Sequence, residues 1–317
     1  MTAAPGGEWL SAHLYYRGDD RVAADQVIAR VVRPFVGPAR ERGWVGRWFF
    51  IRYGHLGRHL RLRLHGEADV LRAEVRPALE AQVAACRPAG LLMPPHESVA
   101  AYGEPSAASP ALWWIPYEPE TMRYGGPRGV PLAEELFFHS SEAALALLAC
   151  FEPGDAEVRF GLALASMVVL LGSLTRARSQ AAEVARVHRG SWAQAAGAAG
   201  GGADVRARFE EGYARNAQMM EQVEAIWAAL DHGPDALPPP LDAYAAATSA
   251  VAARLRALQE AGGLALAGGP AADWPAALRA LAPSYLHMMN NRLGVSPGEE
   301  AYLGHLLARA FGAPDAW

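Results

Sequence analysis

The chain changes character near residue 132, and this change limits the folds open to it. Upstream, short aromatic segments typical of strands alternate with longer segments whose apolar residues recur at helical spacing; downstream, Ala- and Leu-rich helical stretches follow one another. Strands followed by a run of helices are typical of an α+β fold. We predict an N-terminal mixed or antiparallel sheet with helices (about residues 9–131) and a mainly helical half (about 132–311) packed on it, in a single domain spanning residues 1–317.

Periodicity, glycines and prolines also predict the individual elements. Strands are expected at residues 9–16, 48–53, 58–65 and 112–117, with helices at 22–42 and 68–86. Further helical stretches are expected at residues 133–151, 155–172, 203–230, 241–259, 275–293 and 298–311. Gly- and Pro-rich connectors are expected at residues 197–202, 237–240 and 262–270.

Lysine is absent from the chain, so all 29 basic residues are arginine. This excludes chemistry that needs a Schiff-base lysine or a phosphate-loop lysine. The two cysteines, Cys86 and Cys150, are too few for a disulfide framework or a Cys-based zinc site. The histidines show no metal-ligand spacing such as HExxH. We therefore predict no metal and no nucleotide cofactor.

Nothing in the sequence predicts export or a membrane span. The N-terminus lacks a basic start followed by an apolar run, and the apolar stretch 160–171 is shorter than the ~20 residues that a span needs. The hydrophobic fraction of 51%, the charged fraction of 20% and the net charge of −4 fit a globular protein. We expect a cytoplasmic protein with no direct nucleic-acid or membrane partner.

The alternation in residues 59–65, HLRLRLH, is the sharpest local pattern in the chain. A strand here places its three leucines on one face, and its two histidines with Arg61 and Arg63 on the other. Neighbouring guanidiniums repel, and their alignment is favourable when a carboxylate or phosphate lies against them. Arg61 and Arg63 are therefore candidates for an anion site. An exposed strand face that carries arginine through codon bias is the alternative.

Three further charged residues stand in unusual surroundings. Arg52 lies within the aromatic segment WFFIRY at 48–53, so it needs either an acidic partner, as in a structural salt bridge, or an opening where it could bind substrate. Glu120 and Arg123 lie in a turn made rigid by prolines and glycines, and loops with rigid flanks often carry function. A local Glu120–Arg123 ion pair that staples the turn is the alternative.

Residues 283–294, PSYLHMMNNRLG, predict a helix with proline in its first turn and glycine at its end. His287 shares a face with Asn290 and Asn291, whose amides could fix its tautomer for proton transfer. A structural histidine is the alternative. Arg292 lies ~140° around the helix from His287, so it flanks the same site only through the reach of its side chain.

Five segments, taken in order, resemble one known family: WLSAHLYY at 9–16, WFFIRY at 48–53, HLRLRL at 59–64, YEPETMRYGG at 117–126 and HMMNNRLG at 287–294. The chain resembles the C-terminal elimination domain of lantibiotic dehydratases, also called the thiopeptide-type bacteriocin biosynthesis domain. The resemblance runs from about residue 9 to residue 311. The long glutamylation domain of full-length dehydratases does not occur in the sequence, so the chain resembles a stand-alone version.

The resemblance implies a substrate and a reaction. The substrate is a ribosomal precursor peptide, leader plus core, whose Ser or Thr has been esterified with glutamate by a separate, glutamyl-tRNA-dependent partner protein. β-Elimination of glutamate then leaves dehydroalanine or dehydrobutyrine. Of the residues that match the family's motifs, the arginines are expected to grip the glutamyl group, Glu120 to orient an arginine and His287 to carry the proton. The expected catalytic residues are thus Arg61, Arg63, Glu120, Arg123 and His287, and the expected substrate-binding residues are Arg52, Asn291 and Arg292.

Two alternatives stay open beside this lyase. Stand-alone relatives in thiopeptide pathways include pyridine synthases, which join two dehydroalanines in a formal (4+2) aza-cycloaddition and expel the leader peptide. Those enzymes have less need of arginines that grip glutamate, so the retained arginines favour elimination. The third possibility is a non-catalytic peptide-binding scaffold, against which the anion site and His287 argue.

Overall fold

The computed structural model describes residues 7–18, 21–86, 90–175, 177–195 and 202–313. The chain divides into two compact units, which we call unit 1 (Met1–Pro119 and Leu148–Asp155) and unit 2 (Glu120–Leu147 and Ala156–Trp317). Unit 1 contains the sheet and unit 2 is helical, so the α+β class is confirmed. The mainly helical half begins with the turn at Thr121, whereas the sequence predicted its start near residue 132. The single-domain organisation stays a prediction.

Unit 1 contains an antiparallel sheet with the strand order β2-β3-β1-β5-β4. Its strands are β1 (Glu8–Tyr15), β2 (Arg47–Tyr53), β3 (His59–Gly66), β4 (Glu104–Pro105) and β5 (Leu112–Trp114). The four predicted strands are present, and the two-residue β4 was not expected. β5 is shorter than predicted because Pro116 has no N–H with which to extend the ladder.

The two faces of this sheet differ as the alternation in β3 predicts. Leu60, Leu62 and Leu64 are fully buried on one face. The other face carries Arg61 and Arg63 between two histidines. The helices of unit 1 are α1 (Arg21–Val27), α2 (Arg33–Glu41), α3 (Ala68–Val70) and α4 (Arg76–Ala85).

The two predicted helices of unit 1 each contain a π-helical turn that the sequence pattern does not show. These turns, Ile28–Val32 and Leu71–Val75, both come directly before an Arg-Pro dipeptide. Proline cannot donate to the helical ladder, and its ring clashes with the carbonyl group four residues earlier. A wider turn therefore accommodates Pro34 and Pro77 while the helix continues.

The helices of unit 2 follow one another through most of its described residues. They are α5 (Gly126–Leu147), α6 (Ala156–Thr175), α7 (Arg178–Ala195), α8 (Gly202–Arg215), α9 (Ala217–Asp231), α10 (Leu241–Glu260), α11 (Trp274–Leu293) and α12 (Pro297–Ala310). α6 lies at the centre, where it packs against α9, α10 and α11, and α7 packs along α12.

Several of the predicted helix boundaries were wrong. α7 was not predicted at all, because half of its buried positions are alanines and the buried positions form no stripe of large apolar residues. The expected helix at 203–230 is two helices that meet at Asn216. α11 begins at Trp274, where Asp273 caps it, so Pro283 lies inside this helix rather than in its first turn. Of the expected connector 197–202, residues 197–201 lie outside the described part of the chain.

α6 has the length and apolar composition of a membrane span. The apolar stretch identified in the sequence, residues 160–171, is shorter than a span needs. α6 is the one such helix in the described ranges, and 72% of its apolar window is buried inside the protein. A buried core helix of a soluble protein has the same composition. The cytoplasmic location stays a prediction.

Candidate active site

Unit 1 contains a cavity of about 310 Å³ on the arginine-bearing face of its sheet. Strands β1 and β3 supply its basic and aromatic wall: His13, Tyr15, His59, Arg61 and Arg63. The antiparallel register brings these residues together, since Arg61 lies opposite His13 and His59 opposite Tyr15. The exposed Glu118 also lines the cavity and, within the described ranges, makes no ion pair with Arg63.

Arg63 is the most unusual charge in this cavity. Its side chain is only 5% exposed, and its Nε and Nη1 atoms have no hydrogen-bond partner in the described part of the chain. The Tyr117 ring lies beside this side chain, with its centroid 5.2 Å from the guanidinium carbon. Burial and, secondarily, the Arg61 cation lower the pKa of Arg63 to about 9. A buried guanidinium without a carboxylate is costly, and an anion bound in the cavity would relieve that cost.

Two stacked histidines form the neutral part of the same wall. The rings of His13 and His59 lie 4.9 Å apart, nearly parallel. Burial lowers the pKa of His13 far below its usual range, and burial lowers the pKa of His59 to about 4. His59 Nδ1 lies 2.8 Å from the Gly57 carbonyl oxygen, and Arg61 Nε donates to His59 Nε2 at 3.3 Å. Both imidazoles are therefore neutral at pH 7 and leave the positive charge of the cavity to its arginines.

Unit 2 contains a second cluster, centred on His287. His287 Nδ1 lies 2.9 Å from Oε1 of Glu300, and the other carboxylate oxygen lies 3.4 Å from His188 Nε2. The His287 ring also stacks on Trp192, with 4.2 Å between the ring centroids. The Asn290 amide donates to Glu300 and not to His287. The imidazole is therefore oriented by a carboxylate, where the sequence predicted an amide.

The protonation of this cluster follows from its burial. Burial, the Arg123 cation and the Arg292 cation lower the pKa of His287 to about 4, so its imidazole is neutral at pH 7. Burial raises the pKa of Glu300, because the charged carboxylate loses its hydration. A neutral, partly exposed imidazole can accept a proton, and its lowered pKa makes it a weaker base than a free histidine.

The turn before α5 brings Arg123 into contact with α11, the helix that carries His287. Arg123 Nη1 lies 2.9 Å from the Glu120 carboxylate, so the local ion pair considered as the alternative for this turn is present. Arg123 Nε donates to Ser284 Oγ at 3.0 Å. Ser284 precedes His287 by three residues on α11 and hence shares its face. Of the predicted catalytic residues, the structure thus groups Glu120, Arg123 and His287 in unit 2, and Arg61 with Arg63 in unit 1.

Arg52 lies on the opposite face of the sheet from Arg61 and Arg63. It pairs in register with Leu60, on the leucine face, and its guanidinium forms a buried ion pair with Asp25 of α1. It also donates to the Arg21 carbonyl oxygen at 3.2 Å. The structural salt bridge considered for this residue is therefore present, and the structure does not bring Arg52 to the basic cavity.

Arg292 lies on α11, and its side chain is fully buried. Its Nε donates to Ser141 Oγ on α5 at 2.8 Å, and its guanidinium carbon lies 5.4 Å from the centroid of the Phe137 ring. Arg292 influences His287 through its charge and is held by α5. Asn291 is half-buried on the same helix.

Sequence reasoning missed His13, His188 and Glu300. Glu300 follows a second acid, Glu299, at the start of α12, and nothing local distinguishes the two. His188 lies on α7, the helix that was not predicted. His13 lies in the predicted first strand, in the alternating register that leads to the cavity, so its position was the one available signal.

The sequence and the fold both identify the class of protein. The family described as lantibiotic biosynthesis dehydratase, C-terminal, matches residues 9–311, and the chain belongs to it. This confirms the resemblance drawn from the five motifs and places the chain in a family of lantibiotic biosynthesis. No curated protein matches the sequence significantly.

Three solved structures have similar folds. TsrL has 17% identity and a TM-score of 0.67, over 96% of this chain and 94% of that chain. The pyridine synthase TbtD from thiomuracin biosynthesis has 21% identity and a TM-score of 0.68, over 96% and 97%. The tRNA-dependent lantibiotic dehydratase MibB from Microbispora sp. 107891 has 24% identity and a TM-score of 0.60, over 97% of this chain and 28% of that chain. At these identities, the similarity establishes the fold.

Proposed function

We propose that this protein is a lyase that eliminates glutamate from glutamylated Ser or Thr residues of a ribosomal precursor peptide. The observation that carries the proposal is the buried Arg63 guanidinium, which has no carboxylate partner in the described residues and lines a basic cavity. Such a site suits a ligand that brings its own carboxylate. Glutamate brings one as a substituent and becomes a second one as it leaves.

Elimination needs a base for the proton on Cα and cations for the carboxylates, and the described residues contain both kinds of group. A base removes the proton on Cα, the Cα–H electron pair forms the Cα=Cβ double bond, and the Cβ–O bond breaks to release a carboxylate. His287, neutral at pH 7, suits proton removal. Arg123 suits the enolate-like charge that develops on the adjacent carbonyl oxygen. Arg61 and Arg63 suit the carboxylates of the glutamyl group.

Two partners follow from this proposal. One is the precursor peptide, and the other is a glutamyl-tRNA-dependent protein that attaches the glutamate. No cofactor is part of the proposed reaction, because a base and cationic hydrogen-bond donors are sufficient for it.

A pyridine synthase is the second candidate. The observation that favours it is the similarity of fold over 97% of the TbtD chain. A cycloaddition of two dehydroalanines releases no glutamate, so it gives no reason for a buried, unpaired guanidinium. The arginine cavity is why we prefer the lyase.

Incubation with two peptides, followed by mass spectrometry, separates these candidates. One peptide carries glutamylated serine, and the other carries two dehydroalanines and a leader. Loss of glutamate from the first supports the lyase, whereas release of the leader from the second supports the cyclase. Arg63→Met is the matched variant: the lyase loses its activity, and glutamylated peptide accumulates. A protein that changes neither peptide but binds both is the scaffold.

A further inference from the structure

Glu300 is a buried carboxylate that lies between histidines of two other helices. Its side chain is 1% exposed, with one oxygen near His287 of α11 and the other near His188 of α7. The Asn290 amide donates to the second oxygen at 3.4 Å. A buried carboxylate without such partners would be strongly unfavourable. The side chain is thus held from three directions, and its oxygens have defined neighbours.

His188 and Asn290 both lie against the second carboxylate oxygen of Glu300. The Nδ1 atom of His188 lies 3.3 Å from the Pro283 carbonyl oxygen, which can only accept, so Nδ1 carries the hydrogen. Its Nε2 atom lies 3.4 Å from Glu300 Oε2 but makes no hydrogen bond within the described residues. The Asn290 amide donates to the same carboxylate oxygen, and the other oxygen of Glu300 faces His287 Nδ1 at 2.9 Å, where a carboxylate can accept a hydrogen.

We propose that Glu300, itself oriented by Asn290, is a positioning residue that holds His287 in the tautomer with hydrogen on Nδ1. The lone pair then lies on Nε2, which has no hydrogen-bond partner in the described residues and is free to accept the α-proton. The stack on Trp192 fixes the plane of the ring. Without Glu300, a neutral imidazole in water prefers hydrogen on Nε2, which is the wrong tautomer for this base. The proposal rests on the proposed elimination for its role in turnover, but the tautomer itself can be measured independently.

The tautomer is measured by two-bond ¹H–¹⁵N correlation spectra of the whole protein labelled with ¹⁵N-histidine at pH 7. The signals of His287 are identified by their loss in His287→Gln. In the unaltered protein we expect hydrogen on Nδ1 of His287. In Glu300→Leu we expect a shift towards hydrogen on Nε2.

Two further variants act as controls. Glu300→Gln keeps the Nδ1–H tautomer, because the amide oxygen can accept from His287 while the amide N–H donates to His188. Glu299→Gln alters the neighbouring acid on the same turn and retains the capping pattern of α12, so it leaves His287 unchanged. Hydrogen on Nε2 of His287 in the unaltered protein, or an unchanged tautomer in folded Glu300→Leu, overturns the proposal. The first of these outcomes does not depend on Glu300→Leu, so the test is decisive even if that variant does not fold.

Turnover of glutamylated peptide tests the consequence for catalysis. We expect Glu300→Leu to lower kcat about tenfold or more with little change in KM, since a general base contributes ~10²–10⁴-fold and a misplaced one loses part of this. Glu300→Gln restores most of the rate. Unchanged kcat in Glu300→Leu, or equal losses in kcat and in peptide binding, overturns the positioning role. If the tautomers behave as expected and even the unaltered protein eliminates no glutamate, the proposed lyase is wrong and the tautomer assignment stands.

Discussion

His287 and Arg63 are the two residues in which burial changes chemistry most directly. Each carries a group that would be charged or readily protonated in water, and each lies where hydration is poor. Burial favours the neutral form of an imidazole, whereas a guanidinium remains charged at pH 7 even with its pKa lowered to about 9. Burial thus keeps the first residue neutral, and it leaves the second a cation that a bound anion would stabilise.

The lowered pKa of His287 predicts the pH dependence of turnover. With a pKa of about 4, the imidazole is neutral from pH 5 upwards, so kcat/KM should be constant between pH 5 and pH 8 and should fall as the pH passes through about 4. The free energy of unfolding should fall as the pH drops from about 6.5 to about 4. In this range the imidazole of the unfolded chain, with a pKa of ~6.5, takes up a proton that the folded protein does not yet bind. Stability and kcat/KM are measured at each pH. A rate midpoint near pH 6.5 would show that His287 is not shielded from water.

The isolated charge of Arg63 predicts a trade between stability and activity. Arg63→Met fills a similar volume without a buried cation, so the free energy of unfolding should rise by about 1 kcal/mol or more while elimination is lost. Urea denaturation measures the stability. Arg61→Met is the matched control. The guanidinium carbon of Arg61 lies 3.4 Å from the Tyr53 ring centroid and the side chain is only half-buried, so the free energy of unfolding should change by no more than about 0.5 kcal/mol. A less stable Arg63→Met would mean that the guanidinium has a partner after all.

At the scale of elements, the close approach of α7 and α12 positions the His287 cluster. A Cβ at Gly304 would lie 3.0 Å from the Arg189 backbone nitrogen and 3.1 Å from the Ala185 carbonyl oxygen. Glycine is therefore what lets the two helices come near enough for Glu300, one turn earlier, to meet His188.

Gly304→Ala tests this helix contact. The added methyl group pushes α12 away from the α7 backbone, so the free energy of unfolding should fall by about 1–3 kcal/mol and turnover should fall with it. Gly298→Ala on the same helix meets nothing within 4 Å and should leave both unchanged within error. Denaturant unfolding and the peptide assay are run on both variants. Equal behaviour of the two would mean that α7 and α12 tolerate a wider spacing.

At the scale of the whole molecule, the proposed elimination uses arginine, histidine and carboxylate groups and calls for no bound metal. The described residues contain no group of three His, Cys, Asp or Glu side chains that could hold a metal ion. Elimination of glutamate is therefore expected to keep its full rate in EDTA and without added nucleotide, as mass spectrometry of the peptide would show. Loss of turnover in EDTA that zinc restores would refute this expectation.

The sequence by itself determined the α+β class, the main strands of the sheet, the family and the row of Arg61 and Arg63. These follow from signals that are local: a period of two in β3, helical periodicity, and motifs of six to ten residues. The amide partners expected for His287 were wrong because the choice between an amide and a carboxylate is made by another helix.

Only the tertiary structure decided which charges are paired and which are not. Arg52 forms an ion pair with Asp25 and lies away from the cavity, whereas Arg63 is buried without such a partner in the described residues. Glu300 becomes the partner of His287 because α11 and α12 both pack against α7, although Glu299 beside it has the same local pattern. The physical reason is that pairing and burial depend on distances in space, which residues far apart along the chain set only when their elements pack.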